Sequence, residues 1–150
     1  MAAQPNQYKT EQISVFLENR TGRLAEVTNT LTEAGLNIRA LSLADTTDFG
    51  ILRMIVCDTH KAQEILKQKG FTLGVTNVVA VSVNDKPGGL NSLLQLLDSK
   101  HVNVEYMYAF VSREKDAAIM IFRFDKADEA IATLLENNVE ILSANDICLS

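Results

Sequence analysis

The stretch Asn19-Arg20-Thr21-Gly22-Arg23-Leu24 returns later in the chain as Asp85-Lys86-Pro87-Gly88-Gly89-Leu90, and this repetition decides the reading of the fold. Gly22 maps on Gly88, Leu24 on Leu90, Leu31 on Leu97 and Asn37 on Asn103, each at an offset of 66 residues (88 − 22 = 66) with no gap between them. A turn followed by a helical pattern, written twice, marks a duplicated module. Because the polar Asn37 and Asn103 recur with the apolar positions, the duplication can preserve a site as well as a core.

Outward from the first turn, Ile13-Ser14-Val15-Phe16-Leu17 is a β-rich run. Leu24, Val27, Leu31 and Ala34 recur at helical spacing until Gly35 stops the helix. Residues 36–44 and 51–57 read as two further strands, joined by the hairpin loop Asp45-Thr46-Thr47-Asp48-Phe49-Gly50. Asp58 is placed to cap a second helix with Ala62, Ile65, Leu66 and Lys69 on its inner face and Gly70 at its end. In the second copy, residues 78–83 form the strand and Leu90, Leu93, Leu94 and Leu97 the helical stripe. Residues 102–111 and 117–124 make a hairpin around Ser112-Arg113-Glu114-Lys115-Asp116. Asp125 then caps a last helix with Ala127, Ala130, Ile131, Leu134 and Leu135 inside. The order is βαββαβ in each copy. The fold class is therefore α+β, two ferredoxin-like modules in tandem with antiparallel sheets and helices on one face.

The expected organisation is a disordered tail over 1–10, a first module over 11–76 and a second over 77–150. One count stays open. Between Gly70 and Pro87 only residues 78–83 read strongly as a strand, so either Phe71-Thr72-Leu73-Gly74-Val75 is a short strand of its own or one long run serves both sheets. The C-terminus has the same two-part look, with Val139-Glu140-Ile141-Leu142 followed by Ile147-Cys148-Leu149.

Composition excludes several classes. With 47% hydrophobic and 22% charged residues the chain reads as soluble and globular, and no apolar run approaches the roughly 20 residues that span a bilayer. Met1-Ala2-Ala3-Gln4-Pro5-Asn6-Gln7 lacks the apolar segment of a signal peptide, so a cytoplasmic location is the default expectation. A formal charge of −5 argues against nucleic acid as a partner, which would need a basic patch. Cys57 and Cys148 sit in apolar runs without Cys-x-x-Cys spacing and read as reduced packing residues.

Both faces of some strands are apolar. Over residues 102–111, Tyr106, Tyr108 and Phe110 share one face, and their counterparts 66 residues earlier are the small Ala40, Ser42 and Ala44. Helices cover one face of such a sheet. The bulky face therefore calls for a cover within the chain or across a homodimer, unless the aromatics only fill a core edge.

The site candidate in each copy is the turn between first strand and first helix. Glycine there lets the backbone turn sharply and approach a ligand, and the first N–H groups of the helix are unpaired donors that suit a carboxylate. Asn19 and Asp85, three residues before the glycines, can take an ammonium group or close the turn. Asn37 and Asn103 follow the first helix and are expected close to the end of the first strand. Glycine and Asn are also ordinary turn and cap residues, and spacing alone does not separate the two readings.

Glu18-Asn19-Arg20-Thr21-Gly22-Arg23-Leu24 with Leu31-Thr32-Glu33-Ala34-Gly35-Leu36-Asn37-Ile38 resembles the signature of the ACT domain, a small ligand-binding module of amino-acid metabolism. Asp85-Lys86-Pro87-Gly88-Gly89-Leu90 with Val102-Asn103-Val104 is similar, and the chain as a whole resembles the stand-alone tandem ACT proteins of bacteria, which carry no catalytic domain. The resemblance implies an amino-acid-binding regulatory protein with ligand sites at interfaces between modules. It implicates Asn19, Thr21, Gly22, Leu24, Asn37 and Ile38, and in the second copy Asp85, Pro87, Gly88, Leu90, Asn103 and Val104. Thr21 stands where proline is usual, Asp85 where asparagine is, and His101 where glycine often ends the helix. The implied partners are a free amino acid or related small zwitterion, a second copy of the chain and an enzyme of amino-acid metabolism.

Chemistry beyond binding finds little in the residues. His60 and His101 lie outside any Ser, Cys or metal-ligand pattern, and Asp125, Asp128 and Glu129 crowd a helix start where negative charge is favourable. The expectation is a non-enzyme without cofactor or metal. An acylphosphatase-like anion loop would have to use Arg20, Arg23 and Asn37, and an RNA-binding sheet would have only Tyr106, Tyr108 and Phe110 without basic neighbours. The competing class is a constitutive dimerisation scaffold or regulatory subunit that binds no ligand.

Overall fold

The computed structural model describes residues 4–45, 48–110 and 116–149, the last without its side chain. The expected hairpin residues Thr46, Thr47 and 111–115 lie outside the described residues. The chain divides into two compact units, Glu11–Thr76 and a second built from Asn77–Ser150 with Met1–Thr10.

In the first unit, β1 (Thr10–Glu18) leads to α1 (Arg23–Glu33), β2 (Ile38–Asp45), β3 (Phe49–Val56) and α2 (Thr59–Gln68), and the chain then enters β4 (Thr72–Asn84). β3 lies between β1 and β2, antiparallel to both. Alternation along β1 turns Ile13, Val15 and Leu17 to the helices, where they meet Val27 and Leu31 of α1, Ala62 and Leu66 of α2, and Leu52 and Met54 of β3. All of these are nearly or fully buried. At about 25 cal/mol per Å² of apolar area, such a core is the main force holding a small module together.

The second unit continues β4 into α3 (Gly89–Ser99), β5 (Val104–Phe110), β6 (Ala117–Phe124), α4 (Ala127–Glu136), β7 (Ile141–Leu142) and α5 (Ala144–Leu149). Its strand order is β7-β4-β6-β5, all antiparallel. Val79, Val81, Val83, Phe122 and Phe124 meet Leu93 and Leu97 of α3 and Ala130, Ile131 and Leu134 of α4. The rings of Phe122 and Phe124 stack with centroids 5.2 Å apart. The question left open between Gly70 and Pro87 has its answer in β4, one strand of 13 residues that the unit boundary cuts after Thr76.

The repeat is reproduced in backbone detail. Ile38 pairs with Val56 and Val104 with Phe124, each followed by a register shift before Ala40 and Tyr106. The offset is 66 in β2 and β5 (104 − 38) but 68 in β3 and β6 (124 − 56), so the second copy carries two extra residues in its β5–β6 hairpin. All four long helices end in a left-handed residue, Gly35, Gly70, His101 and Asn138. In each case the following N–H donates back across the turn, Leu36 to Leu31, Phe71 to Leu66, Val102 to Leu97 and Val139 to Leu134, at 2.9–3.1 Å.

Several expectations are corrected. Leu24 is 38% exposed, outside the core stripe that its spacing suggests, and Lys69 is exposed at the helix end. Asp58 caps α2 by accepting from the Lys61 N–H at 3.1 Å, but Asp125 does not cap α4. Its carboxylate accepts instead from the Asn103 N–H at 2.9 Å, tying the start of β5 to the end of β6. Where a loose tail was expected, Pro5–Tyr8 form a 3-10 turn packed on α4, with Tyr8 against the core and Lys9 paired to Asp128 at 2.8 Å. Residues 147–149 belong to a helix, not a strand. Neither cysteine is a free thiol; both Cys57, which is exposed, and Cys148 are disulfide-bonded. Tyr108 is buried and Tyr106 and Phe110 are half-buried, so the aromatic face is not open to water.

Candidate functional site

The two glycine turns are built alike. Gly22 has φ +92° and Gly88 φ +89°, left-handed values that glycine adopts without cost and that place each as the N-cap of its helix. In the first turn the Arg20 N–H donates to the Glu18 carbonyl at 2.8 Å, Arg23 to Arg20 at 3.5 Å and Glu26 to Gly22 at 3.0 Å. In the second, Lys86 donates to Asn84 at 3.0 Å, Gly89 to Lys86 at 3.0 Å and Ser92 to Gly88 at 2.9 Å. The strand before each turn is also anchored, by Asn19 N–H to Asp48 and Asp85 N–H to Asp116. Neither helix has a side-chain cap: the turns themselves use the Arg23 and Gly89 N–H groups, and no side-chain oxygen caps the first-turn donors that follow.

Strand register sets where the other candidates stand. Glu18 pairs with Phe49 and Asp45 with Gly50 at one end of the first sheet, whereas Ile38 pairs with Val56 at the other. Asn37 is therefore at the far end from Asn19, Thr21 and Gly22, about 16 Å away along α1 at 1.5 Å for each of its 11 residues. The second unit repeats this: Asn84 pairs with Ala117 near the turn, and Val104 with Phe124 at the opposite end. The expectation that Asn37 and Asn103 lie close to the first-strand end is thus overturned by the direction of the strands, since the helix carries the chain back before β2 begins. Within a unit the structure brings Asn19, Thr21, Gly22 and Leu24 together, and separately Asn37 with Ile38. Asp85, Pro87, Gly88 and Leu90 form the equivalent group apart from Asn103 and Val104. All the polar members are exposed.

The arginines near the first turn are engaged. Arg20 Nε pairs with Glu18 at 2.9 Å, and Arg23 Nη1 with Glu26 at 2.6 Å, while its guanidinium lies 4.5 Å above the Phe71 ring. Each is neutralised by a carboxylate of its own neighbourhood, unlike the open cation that an anion-activating loop requires. Among the described residues no cluster of His, Cys, Asp and Glu could hold a metal ion. No described helix is long and apolar enough to cross a membrane.

Single-sequence reading missed one feature, a cavity of about 470 Å³ in the second unit. Gly89, Ser92 and Leu96 of α3, the end of β4 and residues 137–140 line it. The signal was present in the repeat as a difference, since Gly89 stands where the first copy has Arg23.

Fold and turns together define a pair of ferredoxin-like modules. The sequence profile of the ACT domain pair matches residues 8–149, and the chain belongs to that family. A crystal structure of protein BT0572 from Bacteroides thetaiotaomicron is similar at 40% identity, with a TM-score of 0.90 and coverage of 95% of this chain and 97% of that one. The ligand-free regulatory subunit of aspartate kinase from Thermus thermophilus shares the fold at 16% identity and a TM-score of 0.64, covering 86% of this chain and 92% of its own. The corresponding subunit from Thermus flavus does so at 16% identity and a TM-score of 0.62, with the same coverage. Among curated proteins nothing matches.

Proposed function

We propose that this chain is a regulatory amino-acid sensor, in which each ligand is held where the glycine turn of one module meets the second-strand start of another. The observation that carries the reading is the pair of uncapped, left-handed turns with the same backbone hydrogen bonds at Gly22 and Gly88. Donors of this kind fit an α-carboxylate, and oxygens from Asn19, Asn37, Asp85 and Asn103 fit an α-ammonium. Because register separates turn and strand start within a unit, a complete site draws them from different modules. A homodimer is one way to supply the second set. Leu24 and Leu90 lie next to the turns, so apolar amino acids are the preferred class. The likeness to regulatory subunits of aspartate kinase supports a role in controlling an enzyme of amino-acid metabolism, through binding and without catalysis.

Thermal-shift screening against the twenty amino acids tests this. A ligand at 100 times its dissociation constant stabilises by about 2.7 kcal/mol, a plain shift for a chain of this size. A constitutive scaffold shows no shift with any of them.

A further inference from the structure

The cavity of about 470 Å³ lies between the end of β4, the first turns of α3 and the connection from α4 to β7. Small-molecule sites span about 300 to 1,000 Å³. The equivalent space of the first unit holds a side chain. There Arg23 lies over Phe71, donates to Glu26 at 2.6 Å and is 15% exposed, with Nε buried and without a hydrogen-bond partner. At the offsets of 66 before the hairpin and 68 after it, Arg23, Glu26 and Phe71 correspond to Gly89, Ser92 and Val139. The last match is independently fixed, because Phe71 and Val139 make the same turn-closing bond, to Leu66 and Leu134. All three counterparts line the cavity.

The second copy therefore lacks the guanidinium, its aromatic support and its helix carboxylate at the three positions that fill this space in the first. It cannot fill the space from the same position, because a Cβ built on Gly89 would collide with the Asn84 carbonyl. It carries a new carboxylate instead: Glu140 stands where the first copy has Thr72, and it is the one charged residue among those lining the cavity. Leu93, Leu96 and Val139 supply apolar wall, and Asn137 adds an amide.

We propose that this cavity binds a small organic cation with a guanidinium head and a short apolar stem, seated as Arg23 seats its own side chain in the first unit. Glu140 takes the part of Glu26, and a planar fork of N–H donors matches its carboxylate and the neighbouring amide oxygen. The stem lies along Leu93, Leu96 and Val139. This proposal goes beyond the amino-acid sites at the glycine turns, since Leu93, Leu96, Asn137, Val139 and Glu140 are not among their residues.

The test is titration of the full chain with n-butylguanidinium and with its uncharged isostere n-butylurea, followed by calorimetry and by NMR of the Leu93, Leu96 and Val139 methyl groups. The cation should bind at least about tenfold more tightly, the worth of one charge-assisted hydrogen bond. Glu140→Gln should remove that preference; its side chain is exposed and its tie to the fold is the backbone carbonyl that accepts from the Ser82 N–H at 3.0 Å. Leu96→Trp should fill the space and abolish binding of both. Equal affinity for the two probes, a preference that survives Glu140→Gln, shifts at residues outside the cavity, or no saturable binding would each overturn the proposal.

Discussion

At the scale of single residues, Gly22 and Gly88 are held by conformation and not by crowding. A Cβ built on either meets nothing within 4 Å, yet each sits near φ +90°, where an L side chain costs about 1 to 2 kcal/mol. Gly22→Val and Gly88→Val should therefore each destabilise by about that much in urea titration, and more than the corresponding Ala changes because valine is stiff at χ1. If the turns bind the ligand, the same substitutions weaken amino-acid binding by roughly ten- to a hundred-fold, the loss of one charge-assisted bond of about 1.5 to 3 kcal/mol. Calorimetry separates the two effects, and an affinity untouched by changes at Gly22, Asn37, Gly88 and Asn103 would refute the turn sites.

At the scale of elements, the repeat offers internal controls. Gly35 and His101 end equivalent helices with φ +72° and +56°, so the second copy carries a side chain where the first has none. His101→Gly should raise stability by about 1 kcal/mol, while Asn138→Gly, at the position matching Gly70, should gain less because Asn tolerates this region. The two aspartates at the second helices also differ. Asp58→Ala removes a true N-cap and should cost about 1 kcal/mol. Asp125→Ala removes the acceptor of the Asn103 N–H, and its loss should appear as faster amide exchange at Asn103 instead of at the first turn of α4. Protection at Asn103 unchanged by that substitution would contradict the assignment.

At the scale of the whole molecule, the apolar strand faces and the proposed site, which unites turn and strand start from different modules, point to assembly. Light scattering at micromolar concentration should report a homodimer, and a monomer under those conditions would remove the dimer as the source of the second half of the site. The state of the cysteines is measurable in the same preparation. With Cys57 exposed and both cysteines disulfide-bonded, the unreduced protein should show no thiol reactive toward an aromatic disulfide reagent, before or after unfolding. Two titratable thiols would return them to the reduced state that their apolar neighbours suggest.

What the sequence by itself determined were properties carried by a few consecutive residues. The 66-residue echo of a glycine turn announced the duplication, period-2 and helical apolar patterns located the strands and helices, and Asp58 and Gly70 marked the ends of a helix whose backbone needs those partners there. Tertiary structure decided whatever depends on direction and company. Strand direction, not proximity in the chain, puts Asn37 at the far end from Gly22. Asp125 has the composition of a cap, but the Asn103 N–H of another strand competes for it and wins. Leu24 keeps helical spacing yet is exposed, whereas Leu90 at the matching position packs against the core of its unit. The cavity beside Gly89 could not be read in one copy alone, because a void is made by the side chain that a position lacks, and only the folded first copy, with Arg23 over Phe71, reveals what that space can hold.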